Sequence, residues 1–241
     1  FNQNISFAGN TSFQYLQLNP LKVGNASITD SENITQKWLD NDYYVVTLGL
    51  NYKTDVTTLN FGGLFSKYIG DHFGNLIWGQ KIGDTSPNHK FYENQGVKTE
   101  GSLFAKLSHR FSNKFTSFLD LQVRSINYEV TGIIAGPNSF SVDDNFLFFN
   151  PKAGLTYKLS SKGNLYFSYS KAQREPNRTD YENGTPKPEK LDDFEIGWRF
   201  KTSNLQAQTN VYWMEYKDQL VLTGAIDEVG APIRQNVGKS R

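Results

Sequence analysis

Cysteine is absent from all 241 residues, and its absence excludes a disulfide framework, a zinc-thiolate site and a thiol nucleophile. Long hydrophobic runs are missing too. Nothing approaches the ~18 consecutive apolar residues of a membrane-spanning helix, although strands that cross a bilayer hide their hydrophobicity in alternate positions. Neither sign of charge prevails, with 25 Lys and Arg against 24 Asp and Glu, so no global field recruits nucleic acid or anionic lipid. The three histidines lack the close paired spacing of a metal site. No Gly-x-Ser-x-Gly, phosphate loop, paired-carboxylate spacing or basic stripe occurs, and an enzyme finds no support. Hydrophobic residues amount to only 37%, whereas aromatics reach 15%. That balance suits strands that need one apolar face and amphipathic anchors at its rims.

Strict alternation is what the chain does have, most clearly over residues 146–216. Leu147, Phe149, Ala153, Leu155 and Tyr157 share one parity, and Asn150, Lys152, Gly154, Thr156 and Lys158 the other. The same split separates Leu165, Phe167 and Tyr169 from Ser168 and Ser170. It separates Phe194, Ile196, Trp198 and Phe200 from Asp193, Glu195, Gly197, Arg199 and Lys201, and Val211 and Trp213 from Gln208 and Asn210. One face wants hydrocarbon and the other wants water. Upstream, residues 44–52 and 57–65 form a hairpin about a turn at Lys53, Thr54 and Asp55. Residues 103–111 and 115–123 form another about Ser112, Asn113 and Lys114. A first strand is read within residues 1–18, and a tenth after a loop at 224–231.

Four short turns therefore fall at one end of the strands. The polar stretches 19–42, 70–98, 131–144 and 173–190, read as long loops, fall at the other. The apolar parity lasts about nine residues in nearly every segment, matching the ~9–11 that a tilted strand needs to cross hydrocarbon; sandwich strands are more often ~5–6. The expected fold is all-β: an antiparallel up-and-down transmembrane barrel, incomplete, with about nine to ten strands of a larger barrel. A soluble β-sandwich, such as a secreted carbohydrate-binding module, alternates as well and stays open as the other reading.

The same residues carry a resemblance. Asn150-Pro-Lys-Ala-Gly-Leu-Thr-Tyr157, Tyr166-Phe-Ser-Tyr-Ser170, Arg174-Glu-Pro176, Pro188-Glu-Lys-Leu-Asp-Asp-Phe-Glu-Ile-Gly-Trp-Arg199, Asn210-Val-Tyr-Trp-Met-Glu-Tyr-Lys-Asp218 and Asn236-Val-Gly238 follow one another as they do in the second half of TonB-dependent outer-membrane receptors. Residues 1–145 resemble that family only in pattern and in looser phrases such as Leu119-Asp-Leu-Gln-Val-Arg124. The resemblance implies a Gram-negative outer membrane and uptake of a scarce nutrient such as a ferric siderophore or related metal chelate. Its partners would be that chelate, outer-membrane lipid and, through a plug domain, the TonB energy-transducing complex; it implies no cofactor and no nucleic acid. A passive pore or an adhesin barrel is the alternative. The chain opens at Phe1 without Met and stops at Arg241 where a strand should be entered. The expectation is thus that residues 1–241 are part of a receptor barrel domain, with plug and closing strands lying outside them.

Candidate contacts follow from these assignments. His72, Trp78, His89 and Tyr92 fall in the stretch read as the longest external loop, and Arg174, Arg178 and Tyr181 in the loop after the seventh strand. A cationic, aromatic loop suits an anionic chelate, and an ordinary solvated loop has the same composition. Asp120, Arg124, Asp193, Glu195 and Arg199 share the polar parity. They read as the wall of a hydrated lumen, which in the resembled family contacts the plug.

Overall fold

A computed structural model describes residues 11–21, 31–79, 86, 88–133, 139–226 and 232–241, with backbone alone at 11–21 and 31–33. Ten strands follow in chain order: β1 (Thr11–Leu21), β2 (Ser31–Lys53), β3 (Thr57–Gly79), β4 (His89–Arg110), β5 (Phe115–Ile133), β6 (Ser139–Lys158), β7 (Gly163–Arg174), β8 (Glu189–Lys201), β9 (Gln206–Ile226) and β10 (Pro232–Ser240). Between β7 and β8 lies one short helix, α1 (Arg178–Glu182). Every strand pairs antiparallel with its sequence neighbours in one continuous sheet ordered β1 to β10. This is the up-and-down wall of a barrel. A sandwich would need two packed sheets.

The outward face carries an apolar band whose edge can be traced from strand to strand. Phe65 and Leu147 belong to the band. The next outward rung, Lys67 opposite Thr99, Thr99 opposite Asn127 and Asn127 opposite Asn145, is polar. Tyr169, Phe194 and Trp213 close the band further along the sheet, and Lys171, Asp192 and Glu215 stand above them. Within the band large apolar side chains are open to the surroundings, Leu147 at 75% and Val211 at 62%. The deeply buried apolar residues, Ile126, Val130 and Phe148, lie instead on the inward face of β5 and β6.

The described parts of three stretches read as loops are largely strand. β2 begins at Ser31, β3 and β4 run on to Gly79 and from His89, and β5 and β6 reach Ile133 and from Ser139. Residues 70–79 and 89–98 are thus strand extensions rather than parts of a long loop, and His72, Trp78, His89 and Tyr92 sit on strands. Above the band water bathes both faces, so alternation fades while the backbone ladder continues. Part of the first strand reading, residues 1–10, lies outside the described residues.

Candidate functional site

The connection from β7 to β8 folds against the inward face of the sheet. Glu175 starts it, and Pro176 prevents β7 from continuing as a paired strand. Asn177 then caps α1: its side chain accepts from the Asp180 N–H at 3.1 Å while the Asp180 carboxylate accepts from the Asn177 N–H at 2.8 Å. This reciprocal box satisfies two donors that a five-residue helix otherwise leaves unpaired. The Asn183 side chain donates to the Thr179 carbonyl at 2.9 Å and closes the helix.

Anchors hold this segment to both flanks of the sheet. On the β4–β6 side Glu175 accepts from Lys98 at 2.5 Å and from Arg124 at 3.5 Å, and Arg124 also donates to Glu100 at 2.7 Å. Tyr181 donates to Asp144 at 2.6 Å, and its ring lies 5.7 Å from that of Tyr128. On the β9–β10 side Arg234 forks onto Asp180 at 2.9 and 2.7 Å, and Asp180 is buried. Asn236 clasps Lys187 through both backbone groups, and Glu189 accepts from the Leu220 N–H at 2.6 Å. Charge-assisted and forked bonds of this kind fix position as well as adding energy.

The groups around α1 share an unusual electrostatic setting. Burial alone would raise the Glu175 carboxyl pKa, but the Lys98 hydrogen bond and the charges of Lys98 and Arg124 leave it lowered. Burial drops His72 to about 4, helped by the Arg178 charge and opposed by Asp71. It pushes Tyr128 up to about 12, against the pull of Arg178, and raises Tyr68. Tyr181 is raised by burial and by its bond to Asp144. These groups stand beyond the apolar band. Together they form a patch of phenols and an imidazole near the Arg178 guanidinium, which donates to Glu182 at 2.7 Å, with the Tyr68 hydroxyl donating to Asn41 at 2.7 Å.

Of the residues singled out in sequence, His72, Arg178 and Tyr181 converge on this patch. Arg174, at the end of β7, pairs with Glu189. Trp78 and His89 are exposed near the far ends of β3 and β4, and Tyr92 lies opposite Gly74 with its ring edge-on to Phe91 at 5.1 Å; they stand apart from α1. Arg124 belongs to the anchor. Asp120 lies opposite Lys106 and Lys152 in the ladder. Glu195 accepts from the Tyr166 hydroxyl and from Asn210 at 2.8 Å, and Arg199 lies 4.2 Å over the Tyr166 ring. One Asp193 oxygen is buried with no partner among the described residues. Sequence reasoning did not single out Tyr68, Lys98, Glu100, Tyr128, Asp144, Glu175, Asp180 and Arg234 as a site. Only Asn177-x-x-Asp180 carries a local signal, that of a capped helix start. Among the described residues no group of three or more His, Asp and Glu is placed to hold a metal ion, and no helix is long and apolar enough to cross a membrane.

A family model described as TonB dependent receptor-like, beta-barrel, matches residues 1–241. No curated protein sequence matches. Among solved structures the chain is similar to the copper transporter OprC, with TM-score 0.67 and 15% identity, covering 95% of this chain and 38% of that one. It is similar to the ferric-catecholate import receptor Fiu from E. coli K12, with TM-score 0.60 and 14% identity, covering 95% and 39%. The siderophore receptor PiuA from Acinetobacter baumannii gives 0.57 and 15%, covering 96% and 40%. The chain thus spans about two-fifths of the length of these structures.

Proposed function

Because the chain belongs to the TonB-dependent receptor-like β-barrel family, we propose that it forms part of the wall of an outer-membrane receptor in a Gram-negative bacterium. That receptor takes up a metal chelate, with a ferric siderophore as the favoured class, and is energised by the TonB complex through a plug domain carried elsewhere in the full-length protein. Here the short turns face the periplasm and the strand extensions project outward. Asp120, Asp193, Glu195 and Arg199 would line the lumen toward the plug.

The patch around α1 is the observation that supports a chelate. It sits on the inward face above the band, where a ligand descending from outside would pass. Arg178, whose Nε donates to Glu182 at 2.7 Å, lies near Tyr68, His72 and Tyr128, and its remaining guanidinium N–H groups together with the rings suit an anionic aromatic molecule through charge and ring contacts. Ferric catecholates, the cargo named for one similar structure, have that chemistry. The exposed Trp78, His89 and Arg174 and the half-buried Tyr92 are candidates for earlier contacts.

Equilibrium binding of a radio-iron tris-catecholate to the full-length receptor in detergent, with a neutral hydroxamate chelate alongside, tests this. Arg178→Ala and Tyr128→Leu should each weaken tris-catecholate binding about tenfold, the order of one charge-assisted contact, while the barrel keeps its heat-dependent mobility on gels. Unchanged binding in both variants would move the ligand off α1. Equal binding of the hydroxamate would remove the anionic class.

A further inference from the structure

The near-equal totals of charge conceal a segregation that the fold creates. The four short turns and the residues that flank them carry seven of the chain's 25 Lys and Arg but one of its 24 Asp and Glu, namely Asp55. Lys53 stands at the first turn, Arg110 and Lys114 at the second, Lys158 and Lys162 at the third, and Arg199 and Lys201 at the fourth, all exposed; of these Arg199, over the inward Tyr166 ring, belongs to the lumen wall and not to the lipid-facing rim. The rest of the chain is net acidic. Arg110 donates to the Asp55 backbone carbonyl at 2.8 Å and ties two turns together.

The cations do not stand alone. Each turn also presents a large apolar side chain to the surroundings: Tyr52 beside Lys53, Phe111 between Arg110 and Lys114, Leu159 between Lys158 and Lys162, and Leu205 after Lys201. A turn that only had to be soluble would gain nothing from these groups. Paired apolar and cationic side chains, repeated at every turn on one rim of an apolar band, match the boundary between acyl chains and negatively charged headgroups. Tight turns hold them there.

We propose that the short-turn rim is a docking surface for anionic phospholipid headgroups of the bilayer leaflet at that rim, with the Lys and Arg engaging lipid phosphate. This rests on the outer-membrane placement proposed above. Juxtamembrane cations attract anionic lipid by about fivefold each. Removing the three turn-tip lysines should therefore cost far more than any single lipid contact.

The test uses the full-length receptor reconstituted in bilayers of phosphatidylcholine, with spin-labelled phosphatidylglycerol or spin-labelled phosphatidylcholine as the probe. The wild type should associate with the phosphatidylglycerol probe at least tenfold more strongly, and high salt should abolish the preference. Lys53→Gln, Lys114→Gln and Lys162→Gln combined should lose most of it, while the corresponding Lys→Arg triple variant retains it. Equal association of both probes with the wild type overturns the proposal and assigns the cations to an acidic soluble partner. A preference that survives the Gln variant overturns it as well. Failure of the receptor to insert at all is a different outcome, since it removes the membrane placement itself.

Discussion

At the residue scale, glycine spacing decides where the inward aromatic rings lie. Gly62 faces Phe104, Gly74 faces Tyr92, Gly154 faces Phe118 and Gly197 faces Tyr166, each directly across a strand pair. In all four pairs a Cβ on the glycine would collide with the opposite ring. The ring lies over the bare backbone, shields its ladder and replaces the packing that glycine cannot give. At Gly197 the arrangement carries more, because Tyr166 also donates to Glu195 and supports the Arg199 guanidinium. Gly197→Ala should evict the ring, break both contacts and cost about 1–3 kcal/mol. Gly101→Ala, where no atom lies within 4 Å, should change stability by less than about 0.5 kcal/mol. Urea unfolding of the full-length receptor in detergent compares the two; equal midpoints would show that the ring is not held by the glycine. His72 makes a second residue-scale prediction. Its folded pKa of about 4 lies below the usual 6.5, so its stabilising contribution is whole above pH 6.5 and is lost as pH falls through about 4. Arg178→Ala should raise that pKa, read by imidazole NMR, because the guanidinium charge opposes protonation.

At the element scale, the four short turns share one device. Thr54, Ser112, Ser160 and Thr202 each use a side-chain hydroxyl to accept from the N–H three residues on, at 3.0, 3.2, 3.1 and 3.0 Å. The backbone N–H of the same residue donates to the carbonyl there. The hydroxyl mimics a backbone turn and fixes the register of the hairpin. Alanine at any one should cost about 0.5–1 kcal/mol, and the four should add, since they lie in separate hairpins; stability assays of the single and quadruple variants check both statements. The segment around α1 behaves differently, because charge anchors it. Glu175, with its pKa held down, contributes above its unfolded value of 4.5 and loses its grip as pH falls through the folded value. Glu175→Gln should loosen the segment at neutral pH by about 1–3 kcal/mol and speed proteolysis within 175–188, with cleavage elsewhere unchanged. These elements differ in how far sequence exposes them. Short turns and the apolar band are legible because lipid outside and water inside impose period two, and Thr or Ser with Asn, Asp or Gly marks the bends. The strand extensions of β2 to β6 are not, because polar surroundings on both faces erase that period. The site is half legible: Arg178 and Tyr181 stand out in a polar loop, but their setting comes from Lys98, Arg124, Asp144 and Arg234, which only the strand order brings near.

At the scale of the whole molecule, the sheet is open. β1 pairs only with β2 and β10 only with β9 among the described residues, so two edges expose unpaired N–H and C=O groups. In water such edges invite association, and within hydrocarbon each unsatisfied group costs several kcal/mol. Either environment penalises this sheet standing alone, and the penalty grows with each residue of edge that crosses the band. Closure by further strands removes it, which accords with the two-fifths coverage of the similar structures. The expected behaviour is therefore sharply different for the part and the whole. Refolded by itself in detergent, the 241-residue chain should associate through its edges and show no heat-dependent shift on gels, whereas the full-length receptor should give a monomeric band that shifts on boiling. A soluble monomer formed by this chain without detergent would mean that the outward apolar band is covered from within. The transmembrane assignment of the wall would then fail, whatever became of the site around α1.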